Sequence, residues 1–519
     1  MSGSKKLWRV GGTLLACLAL FLVLAAKTPS ADEQKGGKSK AAAPPATTGL
    51  TLCNLSQPPD LGAIAKAITT NQSGTTQFIS DYNTLSQAAW CTFIALNWAA
   101  QGTSPTMTAN PGVAFGQQAS NPVVWETWLE STEVYCSNGG TPGSCTVGGA
   151  TTHTLRSVNP NTDTDTVDDL SENTQATGFV LPDKNNTQQN QSVILYEVKL
   201  NPSVVTFLQT PQQSLYNLDQ QVAFYNTTKP GSSGLPPGQT PIDFPPTAFE
   251  VKSSWYLPTA AEISSNSLGL FLRPICTTDD CSASTGTGGM TGFHVLWKVF
   301  PKSHWLWMTF EYVNNPTLTP IVTGQQTFYP AGQTTCFPSY TNAPCTQGPL
   351  PPSGPLPSDP VSQAASALNA IVQPMLQGTP FANFKLIGVQ VVPVLNGTNT
   401  MVANNHIETD FGSTQSVLGG AQSPTSSCIS CHFNAGIGPV TNCPTSSKPS
   451  NKPRVYRLPV CTNSPCTTGF IGNFQPSLYG TATGGLNTNG PSISTDFVWS
   501  MKLATWQNQA NSGCPPVTN

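Results

Sequence analysis

The stretch Cys428-Ile429-Ser430-Cys431-His432 constrains this chain more than any other. Two thiols three apart with a histidine directly behind the second is the spacing that attaches a c-type haem. Each thiol adds across one vinyl group of the porphyrin, and the same backbone geometry brings His432 under the iron as an axial ligand. A segment carrying such a group must fold around a rigid, largely apolar disc. The competing readings are a structural disulfide, a zinc corner and a redox dithiol. Zinc calls for a second ligand pair, and no second Cys-x-x-Cys occurs. A dithiol motif calls for a helix start in a thioredoxin-like unit, whereas Pro-Thr-Ser-Ser and Gly-Gly precede this one.

Haem attachment of this kind takes place outside the cytoplasm, and the N-terminus carries an export signal. Lys5, Lys6 and Arg9 precede an apolar run from Val10 to Ala26, with small residues at Ala25, Ala26 and Ala31 as cleavage points. Residues 1–31 are therefore a signal peptide or an N-terminal anchor, the only part of the chain expected to meet a membrane. Residues 32–48 are rich in Lys, Gly, Ala and Pro and form a flexible linker.

Cysteine usage fits an exported, periplasmic or extracellular protein. Of the 15 cysteines, setting aside Cys17 in the leader and the two of the motif leaves 12. Four local pairs straddle turn residues: Cys136 with Cys145, Cys276 with Cys281, Cys336 with Cys345, and Cys461 with Cys466. Cys53 with Cys91 and Cys443 with Cys514 complete a candidate set of six bridges, although spacing alone leaves connectivity open.

The net charge is -3 and only 9% of residues are charged, so no basic field exists to attract nucleic acid. With 47 Pro and 44 Gly the chain is turn-rich, while 11 Trp and 22 Phe supply a large core. The predicted fold class is α+β: an antiparallel β-rich body over residues 49–400 with a few packed helices, and a loop-rich haem-binding segment over 401–519. Apolar spacing predicts an amphipathic helix between Phe78 and Trp98, stapled through Cys91 to Cys53. Residues 121–130 read as a short helix with Pro122 in its first turn and Trp125 and Trp128 in the core. A long polar excursion follows over 136–190. Strands are predicted at 192–200, 248–255, 293–299 and 305–313, the last two as a hairpin, with a helix over 361–377 and a strand over 384–394.

These residues carry a resemblance. Trp125-Glu126-Thr127-Trp128, Phe249 to Trp255, the pair His294 and His304 followed by Trp307-Met308-Thr309-Phe310-Glu311, and Ser426 to His432 resemble exported bacterial cytochrome c-family proteins with one haem motif near the C-terminus. The likeness runs in scattered motifs from about residue 80 to 505, and Trp297 stands where the family's His-x-x-His-Lys pattern has its second histidine. It implies one covalent haem c on Cys428, Cys431 and His432, and an unidentified redox partner protein.

The sixth position on the iron is open among three candidates. His406 lies 22 residues before Cys428 and returns to the motif through one loop; His304 sits in an aromatic turn; Met501 follows Cys431 by 70 residues in an apolar stretch read as a terminal helix. Gly438-Pro439 is similar to the Gly-Pro of small c-type cytochromes, a likeness that implies a turn whose carbonyl would accept the Nδ1 proton of His432, although Gly-Pro also marks any turn. Residues 440–494 are too poor in helix formers for a small helical cytochrome, so the haem pocket is expected to consist of loops laid on the β-rich body. A six-coordinate iron makes the protein an electron carrier; an open site, with His304 as distal base, makes it a peroxidase- or oxygenase-like enzyme. A third reading leaves the haem as a structural plug.

Overall fold

The computed structural model describes residues 49–70, 81–103, 106–117, 122–136, 138–145, 153–154, 195–210, 214–228, 242–276, 285–300, 304–314, 320–322, 325–326, 360–391, 394–395, 398–399, 436–437, 484–487, 490–494 and 500–501. The expected leader (1–31), the expected linker (32–48) and the Cys428-to-His432 motif lie outside these residues.

An antiparallel sheet organises the body, as expected for an α+β chain. Its strands are β1 (Leu129–Glu130), β2 (His153–Thr154), β3 (Leu195–Leu200), β4 (Phe249–Tyr256), β5 (Phe271–Cys276), β6 (Thr285–Phe300), β7 (His304–Tyr312) and β8 (Phe384–Gln390). They are ordered β8-β7-β6-β4-β3-β1, and β5 pairs with the N-terminal half of β6. The two-residue β2 adds to β5 in parallel, so His153 belongs to the sheet and not to a surface excursion. The predicted hairpin is β6 and β7; β6 begins eight residues earlier than the apolar pattern suggests, in a Gly- and Thr-rich stretch.

Because successive side chains on a strand point to opposite faces, cross-strand register divides the sheet into two unlike surfaces. On the first face Val251, Val295, Met308 and Val389 stand in one row, and Ser253, Phe293, Phe310 and Leu386 in the next. Three helices cover it: α1 (Leu61–Thr70), α2 (Tyr82–Leu96) and, later in the chain, the helix Pro360–Met375. Helix α2 starts at Asp81, whose carboxylate accepts from the Thr84 amide at 3.1 Å. Apart from its first turn it is buried nearly all round, not amphipathic as its spacing predicts. A helix sandwiched between a sheet and two neighbours needs no polar stripe. Phe93 packs against Phe310 at 4.4 Å and Phe293 at 5.7 Å, and Trp90 against Phe310 at 5.1 Å.

Cys91 bonds to Cys53 with Cα atoms 5.8 Å apart, and Cys136 to Cys145 at 5.9 Å. The first staples the N-terminal segment to α2, as expected. The other expected pairings involve residues outside the described set.

Residues 121–130 correct the predicted helix. Val124–Thr127 form one 3-10 turn, Pro122 precedes it in extended chain, and Leu129–Glu130 join the sheet. The Glu126 carboxylate holds the turn by accepting from the Val123 amide at 2.7 Å and pairing with Arg273 Nε at 2.7 Å. Trp125 and Trp128 are buried core, Trp125 lying 5.2 Å from Phe293 and Trp128 5.9 Å from Phe249.

A second apolar cluster forms at one end of the opposite face, under α3 (Pro202–Leu208) and α4 (Leu218–Thr228). Val198, Leu200, Leu296, Trp305 and Trp307 supply its floor. Pro360–Met375, which we label α5, lies beside the edge strand β8.

That edge is closed by side chains. Asn369 of α5 donates to the Leu386 carbonyl and accepts from the Leu386 amide, both at 2.9 Å, as a neighbouring strand would. Trp90 Nε1 also donates to the Asn369 carbonyl oxygen at 3.1 Å, and Gln373 donates to the Phe384 carbonyl at 2.8 Å. Asn369→Ala strips Leu386 of both partners and is predicted to cost about 1–3 kcal/mol. Urea denaturation should show a lower midpoint with an unchanged slope.

Candidate functional site

The structure puts ionisable groups where an alternating strand pattern would put a solvent-facing surface. On the second face Glu250, Leu296, Trp307 and Gln390 form one row, Lys252, His294 and Thr309 a second, and Ser254, Gly292, Glu311 and Lys385 a third. Glu250, Ser254, His294, Thr309, Glu311 and Gln390 are all buried there. Ser254 and Thr291 share a hydrogen bond at 3.1 Å.

Glu311 is the most exacting of these. One carboxylate oxygen pairs with Lys385 Nζ at 2.8 Å, and the other has no hydrogen-bond partner among the described residues. Burial pushes its carboxyl above the ordinary value of 4.5, and the Lys385 charge and hydrogen bond only partly offset this. At the opposite edge, Glu130, Glu133 and Glu197 gather around Lys199, which donates to the Trp128 carbonyl at 3.2 Å and pairs with Glu197 at 3.3 Å. Burial alone would lower the Lys199 pKa; the three carboxylates outweigh it and the value is raised. This lysine serves as a buried counter-ion.

Ser500 and Met501 are anchored on the second face. Ser500 Oγ donates to Glu250 at 2.9 Å, and the Met501 carbonyl accepts from Gln221 of α4 at 3.1 Å. The Met501 side chain is 2% exposed and packs in the second apolar cluster with Leu296, Trp305 and Trp307. Ser500 and Met501 lie in a 3-10 turn, within the stretch read as a terminal helix. Tyr135 sits beside them: burial pushes its phenol far above 10.0, Ser500 works against that shift, and Glu250 adds to it.

Three short strands continue the C-terminal segment: β9 (Gly436–Ile437), β10 (Gly484–Asn487) and β11 (Gly490–Ser494). They pair in the order β9-β11-β10, and β9 lies against α4. The helix that holds Met501 is thus also the neighbour of the strand that follows the Cys-x-x-Cys-His motif in sequence.

Of the residues predicted from the sequence, Cys428, Cys431, His432 and His406 lie outside the described residues. His304 opens β7 opposite Phe300. Met501 is placed as a core side chain. His294, read as a strand-face residue, is buried on the second face between Lys252 and Thr309. Among the described residues no group of three or more His, Cys, Asp or Glu is arranged to hold a metal ion. The buried polar face was missed by sequence reasoning, since alternating polar residues on a strand normally mark a wet surface; the excess of Glu and Lys on central strands was the available signal. No family model matches the chain, and comparisons with curated proteins and with solved structures gave no match.

Glu311 makes the face pH-sensitive. A carboxyl whose folded pKa is raised binds more protons folded than unfolded, so its contribution to stability is full below 4.5 and falls as pH rises through the folded value. Denaturation midpoints of wild type and Glu311→Gln, measured across pH, should therefore show wild type losing stability relative to the variant as pH rises above 4.5.

Proposed function

We propose that this chain is an exported monohaem c-type cytochrome whose haem is attached through Cys428 and Cys431, with His432 as proximal iron ligand, and which transfers electrons to a partner protein. The Cys-x-x-Cys-His spacing carries the reading. Two disulfides in the body, Cys53–Cys91 and Cys136–Cys145, favour the oxidising compartment that such attachment requires.

The second face is where we place the haem-bearing segment. Leu200, Leu296, Trp305 and Trp307 form an apolar cluster there beneath α3 and α4, beside which an apolar macrocycle would find like surroundings. Chain connectivity favours the same place. Gly436 of β9 comes four residues after His432, which limits their Cα separation to about 14 Å. β9 lies against α4, and α4 also holds the Met501 carbonyl, which supports Met501 as the candidate second ligand to test first, with His406 and His304 as the alternatives. When bound, the haem supplies a one-electron couple; the chain's own part is to bury the ring, exclude water and fix His432 and the propionates.

Full-length protein matured with the c-type haem attachment machinery tests this. Intact mass is expected to exceed the processed chain by one haem, and the absorption spectrum to be low-spin in both oxidation states. Cys428→Ala with Cys431→Ala should remove the covalent mass. Colourless wild-type protein of unmodified mass would refute haem binding, while rapid carbon monoxide binding to the ferrous form would exclude a six-coordinate carrier.

A further inference from the structure

We propose that the outer edge of β5 binds an extended, uncharged peptide segment of another protein, which adds to the sheet as a short strand. This inference is independent of haem. β5 pairs with β6 from Phe271↔Met290 to Cys276↔Thr285 without a break in register. Pro274 has no amide hydrogen, so an unbroken antiparallel ladder requires that Phe271, Arg273 and Ile275 exchange the hydrogen bonds with β6. Leu272, Pro274 and Cys276 then direct their backbone groups away from β6. An edge of this kind is where a strand tolerates proline.

That edge is occupied at one end. β2 pairs with it in parallel at Ile275 and Cys276. Leu272, on the other side of Pro274, has no such neighbour. It is partly exposed, its amide has no hydrogen-bond partner among the described residues, and its carbonyl receives only Arg273 Nη1 at 3.4 Å. A carbonyl has a second lone pair to offer. An N–H and a C=O turned outward from one residue are the groups by which an extended peptide joins a sheet.

The edge faces a cleft of about 490 Å³ between β5 and the turn that follows α5, within the range of about 300–1,000 Å³ usual for ligand sites. Its walls are fixed before a ligand arrives. Asn383 donates to the Gly269 carbonyl at 2.8 Å and its backbone carbonyl accepts from the Val313 amide at 2.8 Å, which ties the turn before β5 and the segment after α5 to the end of the sheet. Gly269 has left-handed backbone, at φ 60°, and Asn383 fills the space that a Cβ would take there. A preformed wall avoids the ordering cost that weakens binding by mobile loops.

The lining sets the chemistry of the segment. Among the described residues that line the cleft Arg273 alone is charged, and it is engaged: Nε and Nη2 donate to Glu126 at 2.7 and 3.3 Å. A charged peptide side chain entering the cleft would lose water and find no counter-ion. Buried Leu270, Phe271 and Phe381 suit an apolar one.

Titration of the full chain with the blocked peptide acetyl-Val-Val-Val-amide, followed by calorimetry and by amide hydrogen exchange, tests the proposal. The peptide is expected to bind and to slow exchange of the Leu272 amide. Methylating its backbone nitrogens in turn should weaken binding by about tenfold at one position, the loss of one hydrogen bond. The triglutamate and trilysine counterparts should both bind more weakly. Gln377→Trp, at an exposed position of the lining, fills the cleft and should abolish binding while leaving Tm unchanged. No binding of the valine peptide, equal binding of all its methylated forms, tighter binding of either charged peptide, or undiminished binding to folded Gln377→Trp would each overturn the assignment. So would a Leu272 amide already protected in the free protein, as it would be beneath a segment of the chain itself.

Discussion

The alternation of side chains along β4, β6 and β7 is the constraint from which the rest of this structure follows. It sends Val251, Phe293, Val295, Met308 and Phe310 to one side of a single sheet, and Glu250, His294, Thr309 and Glu311 to the other. The apolar side is satisfied by helices, and any apolar helix surface will serve. The polar side is harder to cover, because each ionisable group buried there needs a partner or a shifted pKa. Ser500 on Glu250 and Lys385 on Glu311 are two such partners, one of them contributed from the far C-terminal end of the chain. The sheet therefore links the body to the segment that contains the proposed haem motif.

With charged residues only 9% of the chain, their placement indoors is notable. Glu126 with Arg273 and Lys199 among three glutamates are buried groupings that join elements distant in sequence, while buried Lys298 reaches out to the exposed Asp243 at 2.8 Å. Buried pairs contribute little net stability compared with apolar replacements, but breaking one leaves an uncompensated charge at a cost of about 3–5 kcal/mol. They act as registration marks. Arg273 fits only the β5 position that meets the 3-10 turn, and Lys199 only the β3 position opposite Glu130.

Much of this was legible in the sequence where a signal was local. β-branched and aromatic runs marked β3, β4, β7 and β8 within a few residues and the C-terminal half of β6, and the Cys136–Cys145 and Cys53–Cys91 bridges are two of the candidate pairings that spacing left open. Elsewhere tertiary context prevailed. β5, which contains Arg273 and Pro274, was not among the predicted strands, and it pairs with the N-terminal extension of β6 that the apolar pattern also missed. Residues 124–127 have helical spacing but stop after one turn, because Glu126 is drawn to Arg273 and the chain enters the sheet at Leu129. The Cys-x-x-Cys-His spacing is plain in sequence. The face proposed to receive it is not, since nothing in a strand's own alternation says that its polar side will be covered.

The central claim is that the haem-bearing segment rests on that polar face beside α4. Amide hydrogen exchange in the full chain tests it most directly, by comparing haem-loaded wild type with the Cys428→Ala, Cys431→Ala double variant. Attachment of the cofactor is predicted to slow exchange in α4 and along β4 near Glu250, and to leave α1 and α2 on the opposite face unchanged. Equal exchange in α4 with and without haem, or protection confined to the helical face, would contradict the account.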